Sequence, residues 1–226
     1  MVQGEHETSS RASGDAATGD FPFQCRCAEL TGTLRGVSPQ TGNLAVCYCE
    51  SCQTFPRVLG CADHVLDADG GTEIFQTSVR HLRIAQGADR LACLRITPRG
   101  PLRWYALCCS TPIANCAASS ALPIFGLILP AGRSREAREL GDRVLGPVRF
   151  RVQGQDALRD VSDLGARTGF GLPLMWRVAR LFVRARLRGD SAHHPFFERS
   201  SGAPVATPRV VTAAERARTS RTKAGG

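Results

Sequence analysis

Lysine is almost missing from this chain: of its 29 basic residues only Lys223 is a lysine, and the others are arginines. A pure charge requirement would draw on both cations, so the preference reads as base composition with a solvated basic face. No specific nucleic-acid partner is predicted. A secretory leader is also missing. Residues 1–20 are polar and rich in Ser, Gly and Ala, with no basic stretch followed by an apolar one, and are expected to form a disordered leader. The chain has no uninterrupted apolar run either. The uncharged segment 108–132 contains Pro112, Pro123 and Pro130 together with Asn115, Ser119 and Ser120. A spanning helix needs about 20 predominantly apolar residues, so this segment is expected as buried core and no transmembrane segment is predicted. No repeat of about 20 to 50 residues is visible, which excludes solenoids and propellers.

What is present is an ordinary globular balance, 42% hydrophobic and 22% charged over 226 residues, which excludes wholesale disorder and coiled-coil or collagen-like rods. The formal net charge of +9 gathers late. Between Arg133 and Arg188 there are thirteen arginines against six acids. Such a region could meet nucleic acid, an anionic membrane surface or acidic ligands.

Short apolar runs at 30–37, 43–47, 72–77, 81–84, 91–96 and 102–107 are separated by turn signals such as Ser38-Pro39-Gln40-Thr41-Gly42 and Asp69-Gly70-Gly71. This rhythm predicts antiparallel sheets, a mainly β domain over residues 21–130. After Pro130 the pattern turns helical, and residues 131–199 are expected as a helical, arginine-rich extension packing on the β domain. One helix is predicted at 134–145, with Ser134 as N-cap, and another at 173–187, opened by Pro173. In the second, Arg177, Arg180, Arg184 and Arg188 make one stripe. Residues 200–226, dominated by Gly, Ala, Pro, Thr and Arg, are expected as a disordered tail.

Ten cysteines carry the chemistry. Cys25-Arg26-Cys27 is followed some twenty residues later by Cys47-Tyr48-Cys49-Glu50-Ser51-Cys52, and a third group is Cys108-Cys109 ahead of Ser110-Thr111-Pro112. Cys61, Cys93 and Cys116 stand alone. In the reducing cytoplasm, the location expected here, close cysteine pairs bind metal more often than they form disulfides. Zinc accepts thiolates at about 2.3 Å in a tetrahedron; three thiolates leave the fourth corner for water or a substrate sulfur, whereas four close the site. Cys47, Cys49 and Cys52 therefore read as a three-thiolate centre. Cys25 and Cys27 supply half of a second centre that the Cys108-Cys109 region could complete. Lone cysteines are usually small core hydrophobes, the reading for Cys61 and Cys93.

This series of motifs resembles the glutathione-dependent formaldehyde-activating enzyme family, which also includes centromere protein V, and the chain would be an outlying branch of it. The resemblance covers residues 21–115 and implies a β-tent of antiparallel sheets stapled by zinc. It implies two zinc ions: a structural one at Cys25, Cys27 and the late cysteines, and one at Cys47, Cys49 and Cys52 beside a glutathione site. The family's late Cys-x-x-Cys-Gly-Thr-Pro becomes Ala106-Leu107-Cys108-Cys109-Ser110-Thr111-Pro112, so Cys109 matches the second cysteine and Ala106 replaces the first. Cys108, by a bend of the backbone, or Cys116 would be the fourth ligand, or the site is three-coordinate; neighbours on an extended strand face opposite ways. Ala28 stands where the family usually has glycine.

The implied activity is that of a carbon–sulfur lyase or synthase acting on a thiol–aldehyde adduct such as S-hydroxymethylglutathione, with glutathione or another small thiol and an aldehyde as partners. Cys47, Cys49 and Cys52 would be catalytic as zinc ligands. Arg57, Arg80 and Arg103 are candidates to anchor the thiol's carboxylates, and Glu50 is a candidate proton carrier. His64 and His81 are isolated, and His194-Pro195-Phe196-Phe197 reads as a docking segment. The alternative function is a non-catalytic zinc-stapled module whose basic C-terminal region contacts nucleic acid, membrane or protein.

Overall fold

In the computed structural model, which describes residues 18–219, the uncharged and alternating segments become strands and the arginine-rich ones become helices. In chain order the elements are β1 (Gly19–Gln24), β2 (Thr31–Val37), β3 (Gly42–Cys47), α1 (Glu50–Val58), α2 (Ala62–Val65), β4 (Thr72–Ser78), β5 (Leu82–Gln86), β6 (Leu91–Arg95), β7 (Leu102–Ala106), β8 (Thr111–Cys116), β9 (Ile124–Leu129), α3 (Arg135–Val144), β10 (Phe150–Val152), α4 (Leu172–Leu187), β11 (Arg209–Val210) and α5 (Ala213–Thr219). They form a three-stranded sheet in the order β1-β2-β5 and an eight-stranded sheet in the order β10-β3-β4-β9-β8-β7-β6-β11. The protein is thus mainly β. Among the described residues, the named strands pair antiparallel except at the two edges of the large sheet, where β10 joins β3 and β11 joins β6 in parallel.

The main core lies between the sheets. Phe21, Leu34 and Leu82 from the small sheet meet Phe75, Trp104 and Leu127 from the large one. The uncharged segment supplies β8 and β9, which pair with each other and sit inside the large sheet; its apolar content is explained by burial on both faces. No helix among the described residues is long and apolar enough to cross a membrane.

The helices begin where local chemistry places them. The Ser134 hydroxyl accepts a hydrogen bond from the Ala137 amide at 3.3 Å, capping α3. Pro173 lies in the first turn of α4, where its missing N–H costs nothing. The inner face of α4 carries Leu174, Val178, Leu181 and Ala185, of which Leu174 and Ala185 are fully buried. Contacts of α4 with β3, β4 and β9 place it against the large sheet.

Three expectations need correction. The leader ends earlier than residue 20, because β1 starts at Gly19 and pairs with β2; residues 1–17 lie outside the described residues. Residues 131–199 are not purely helical, since β10 extends the large sheet. Residues 200–219, expected as disordered tail, form β11 and α5. Val211 is wholly buried beside Leu94 and Phe55, and the Arg216 guanidinium donates to the carbonyls of Ile96 and Val211. One inserted apolar side chain and a bridging arginine anchor a segment whose composition alone looks unstructured; residues 220–226 lie outside the described residues.

The His194–Phe197 segment does dock, but onto the protein's own core. Phe196 is fully buried and stacks on Trp104 with ring centroids 4.8 Å apart. Burial holds the His194 imidazole down, to a pKa of about 4.

Candidate metal centres

Two groups of cysteines are brought together, and each could hold a metal ion: Cys25, Cys27, Cys108 and Cys109 in one, and Cys47, Cys49 and Cys52 in the other, with all sulfurs of a group within 4.8 Å of one another.

The first group joins the two sheets. Beyond β1 the chain turns through Cys25-Arg26-Cys27-Ala28, and the Ala28 amide donates to the Cys25 carbonyl at 3.0 Å. Closing this turn puts Ala28 at φ +61°, the left-handed region that favours glycine. Ala28 is therefore an L residue held in a strained conformation. The Leu30 amide points at the Cys25 sulfur, 3.3 Å away. The other two sulfurs come from the connection between β7 and β8, where Leu107–Ser110 is a turn rather than a strand and Ser110 has φ +56°. That bend lets neighbouring residues face the same way. Cys108 and Cys109 both join the group, whereas Cys116 is buried elsewhere and its sulfur accepts from the Trp104 indole N–H at 3.2 Å.

Sulfur separations in this group are 3.5 Å for Cys25–Cys27, 3.3 Å for Cys27–Cys108, 3.8 Å for Cys25–Cys108 and 3.9 Å for Cys108–Cys109. Four thiolates at 2.3 Å around one tetrahedral ion would be ~3.8 Å apart, so the donor set fits a four-thiolate zinc. The Thr111 hydroxyl ties the two halves together. It accepts from the Arg26 amide at 3.1 Å and lies 3.0 Å from the Cys109 sulfur. Burial pushes the Cys109 thiol up, but hydrogen bonds from Thr111 and the Cys27 backbone outweigh it and hold the pKa at about 6. A ready thiolate is what a soft metal needs.

The second group is local. Cys47 ends β3, Tyr48 donates its amide to the Val152 carbonyl at 3.1 Å, and Cys49 is the N-cap of α1. A strand period of two puts Cys47 and Cys49 on one side, and the first helical turn returns Cys52, whose amide donates to the Cys49 carbonyl at 2.9 Å. No fourth cysteine, histidine or carboxylate joins them among the described residues. Cys47 and Cys52 are buried, while Cys49 is half-buried.

Arg103, on β7, is the group's charged neighbour. It is buried, its two terminal nitrogens lie 3.8 and 3.9 Å from the Cys52 sulfur, and they donate to Ser51 at 2.7 Å and Asn115 at 2.9 Å. Its guanidinium also stands over the Phe55 ring, 5.5 Å from the centroid. Hydrogen bonds from the Cys47 and Cys49 thiols, together with the Arg103 charge, hold the Cys52 thiol well below its ordinary range. Hydrogen bonding to Cys49 and Cys52 pushes Cys47 up.

From the C-terminal side, Val152 of β10 and Leu174 and Val178 of α4 pack against these cysteines. Nothing in the motif spacing foretells this cover, because it comes from more than a hundred residues away. Arg103 is the other residue whose place the spacing could not give. This candidate thiol anchor lies buried beside Cys52.

None of the remaining candidates joins the donor set of either group. Arg57 donates to the Gln53 side chain at 2.7 Å, Arg80 is exposed, and Glu50 is exposed in the first turn of α1. The His81 ring bonds the Arg35 carbonyl at 2.7 Å, and His64 is exposed beside Cys61 in a cleft near Cys25. Cys61 and Cys93 are buried, and burial pushes their thiols up to about 11 and about 12, in keeping with core hydrophobes.

Two packed sheets carrying a four-thiol and a three-thiol cluster define a mainly β protein with the donor sets of a metal-binding protein. The chain belongs to the family described as a family of unknown function, DUF6151, whose model matches residues 18–208 and so spans the β domain and the helical region together. No curated protein matches the chain. Among solved structures, the crystal structure of a Rhodobacter sphaeroides protein, a Northeast Structural Genomics target, is similar at 18% identity, over 54% of this chain and 95% of that one, with a TM-score of 0.34. That likeness adds nothing to the reading of fold or function.

Proposed function

We propose that the protein holds two zinc ions in unlike roles, a structural one on Cys25, Cys27, Cys108 and Cys109 and a second on Cys47, Cys49 and Cys52 that keeps one position for a small thiol. The observation that carries this reading is the inequality of the donor sets, four sulfurs against three. All-thiolate sets of this kind favour zinc over harder ions. The resemblance of the cysteine motifs to glutathione-dependent formaldehyde-activating enzymes then gives the reaction class, a carbon–sulfur lyase or synthase. The thiol sulfur bonds to the aldehyde carbon, the thiol proton passes to the carbonyl oxygen, and the product is an S-hydroxymethyl adduct; the lyase direction is the reverse.

A bound zinc would supply thiolate stabilisation and Lewis acidity. The chain's own residues hold and shield the site. Arg103, fixed by Ser51 and Asn115, keeps positive charge against Cys52. Leu174 and Val178 pack over one side, while Cys49 is only half-buried and its sequence neighbour Glu50 is exposed, which is the side a ligand would reach.

A second reading, a non-catalytic zinc-stapled module, is favoured by that same cover: α4 packs directly on the three cysteines. Metal content by mass spectrometry, on wild type and Cys49→Ser with and without glutathione, separates the two. Two zincs in wild type, one in the variant, and glutathione binding lost with the second ion support the thiol-binding centre. One zinc in both proteins and no glutathione binding would leave the module.

A further inference from the structure

Helix α4 is apolar on two opposite sides. Its inner side, Leu174, Val178, Leu181 and Ala185, falls at i, i+4, i+7 and i+11 and meets the large sheet. On the outer side Leu172, Trp176, Val183 and Leu187 fall at i, i+4, i+11 and i+15, and these four side chains lie in solvent, with Leu172 86%, Trp176 71% and Leu187 83% exposed. Met175 on the helix and Phe170 just ahead of it are also about half exposed. A helix that rests only on its own domain needs one apolar stripe, not two.

The flanks of the outer stripe are cationic. Arg180, Arg184 and Arg188 run along one flank and Arg186 sits on the other, and among the described residues none of their side chains makes an ion pair or hydrogen bond. The helix holds no acidic residue. Arg180, Arg184 and Arg188 also line a cleft of about 150 Å³ with Arg177 and His81. Arg177 is held in place by bonds to Asn43 and to the Pro39 carbonyl.

We propose that the outer side of α4 docks on an anionic phospholipid bilayer, with Trp176, Leu172 and Leu187 entering the interface and the arginine flank meeting lipid phosphates. A second copy of this chain is a poor occupant: two α4 helices paired about a twofold axis would bring arginines against arginines, with no acid on the helix to compensate. A bilayer supplies apolar depth and negative charge at once, and a helix with an apolar face, a tryptophan and flanking arginines lies in such an interface without crossing it. The protein would be peripheral, in line with the absence of any spanning helix among the described residues.

The test uses the full chain and two kinds of vesicle, phosphatidylcholine alone and phosphatidylcholine mixed with phosphatidylglycerol. Of the two tryptophans Trp104 is fully buried and Trp176 is exposed, so a lipid-induced blue shift of the emission reports Trp176. Co-sedimentation only with the anionic vesicles, weakened by salt and accompanied by the blue shift, is the expected result. The triple variant Arg180→Gln, Arg184→Gln, Arg188→Gln should lose on the order of a hundredfold in affinity, at roughly fivefold per arginine. Trp176→Ser with Leu187→Ser should lose about as much; all five side chains are exposed, so folding is not at stake. Equal binding to both vesicles, or none, overturns the proposal. So does a concentration-dependent dimer showing the blue shift without lipid, which assigns the face to a second copy. Binding abolished by inorganic phosphate and lacking the blue shift assigns the arginines to a soluble phosphate ligand and overturns it as well.

Discussion

Cys25 and Cys108 are 83 residues apart in sequence and 3.8 Å apart at sulfur, whereas Cys47, Cys49 and Cys52 fit within one strand-to-helix turn. The first centre ties the small sheet, through the end of β1, to the large one, through the connection of β7 and β8. A metal link across so long a loop would remove freedom from the unfolded chain and stabilise the fold. The second centre closes no loop. Its three sulfurs are placed by the end of β3 and the first turn of α1, with Arg103 on one side and α4 on the other. Under the proposed function, cross-linking distance would separate a centre that holds the fold from one with a position left for a ligand.

The comparison breaks most readily at the staple. Cys25→Ser should remove one zinc and most of the on the order of 10 kcal/mol that a structural zinc contributes in small modules, so the variant should melt far below wild type. The same replacement at Cys49 should remove one zinc and leave the melting temperature close to wild type. Thermal unfolding with metal analysis on both variants checks this. Equal destabilisation by the two would show that both centres are structural.

The cover over the second centre offers a smaller effect. Leu174→Ala removes a buried side chain from the packing on Cys47 and Cys52 and should cost about 3 kcal/mol. It should also speed modification of the three cysteines by a thiol reagent while leaving the first group's rate unchanged. Unchanged reactivity at the second group would mean that α4 does not control its access.

Arg103→Gln sharpens the electrostatic side of the contrast. Losing the charge beside Cys52 should weaken metal at the second centre by roughly ten- to hundredfold, as loss of an outer-sphere partner usually does, and leave the first untouched. A competition titration with a chelator reads both affinities in one experiment.

Much of this contrast was legible before folding was considered. The alternating runs become β2 to β7 with ends shifted by at most two residues, and Ser134 and Pro173 mark the starts of two helices, because these signals are local. The grouping of Cys47, Cys49 and Cys52 follows from spacing for the same reason, whereas the joining of Cys25 and Cys27 to Cys108 and Cys109 across 83 residues was implied by the resemblance and not by spacing. Features that depend on remote segments were not legible: β10 and β11 pair in parallel at the sheet edges, Val211 anchors an unpromising tail, and α4 covers the second centre. The fourth ligand of the first centre falls between these cases. Strand alternation forbids Cys108 and Cys109 from facing one way, and only the turn with Ser110 at φ +56° permits it.

The smallest predicted effect tests whether the staple is strained. Ala28 is one of three non-glycine residues at positive φ among the described residues, and its conformation is fixed by the Cys25–Leu30 turn that presents two of the four sulfurs. An L residue held in the left-handed region costs about 1–2 kcal/mol, while glycine gives back part of that advantage through the greater freedom of the unfolded chain. Ala28→Gly should therefore stabilise the protein by about 0.5–1 kcal/mol and tighten metal at the first centre alone, measured by denaturant unfolding and chelator competition. A destabilised Ala28→Gly would mean that the turn is held by the cysteines with no strain to relieve. An alanine at position 28 would then cost the turn nothing, and the four sulfurs would be held by the cysteine cluster itself.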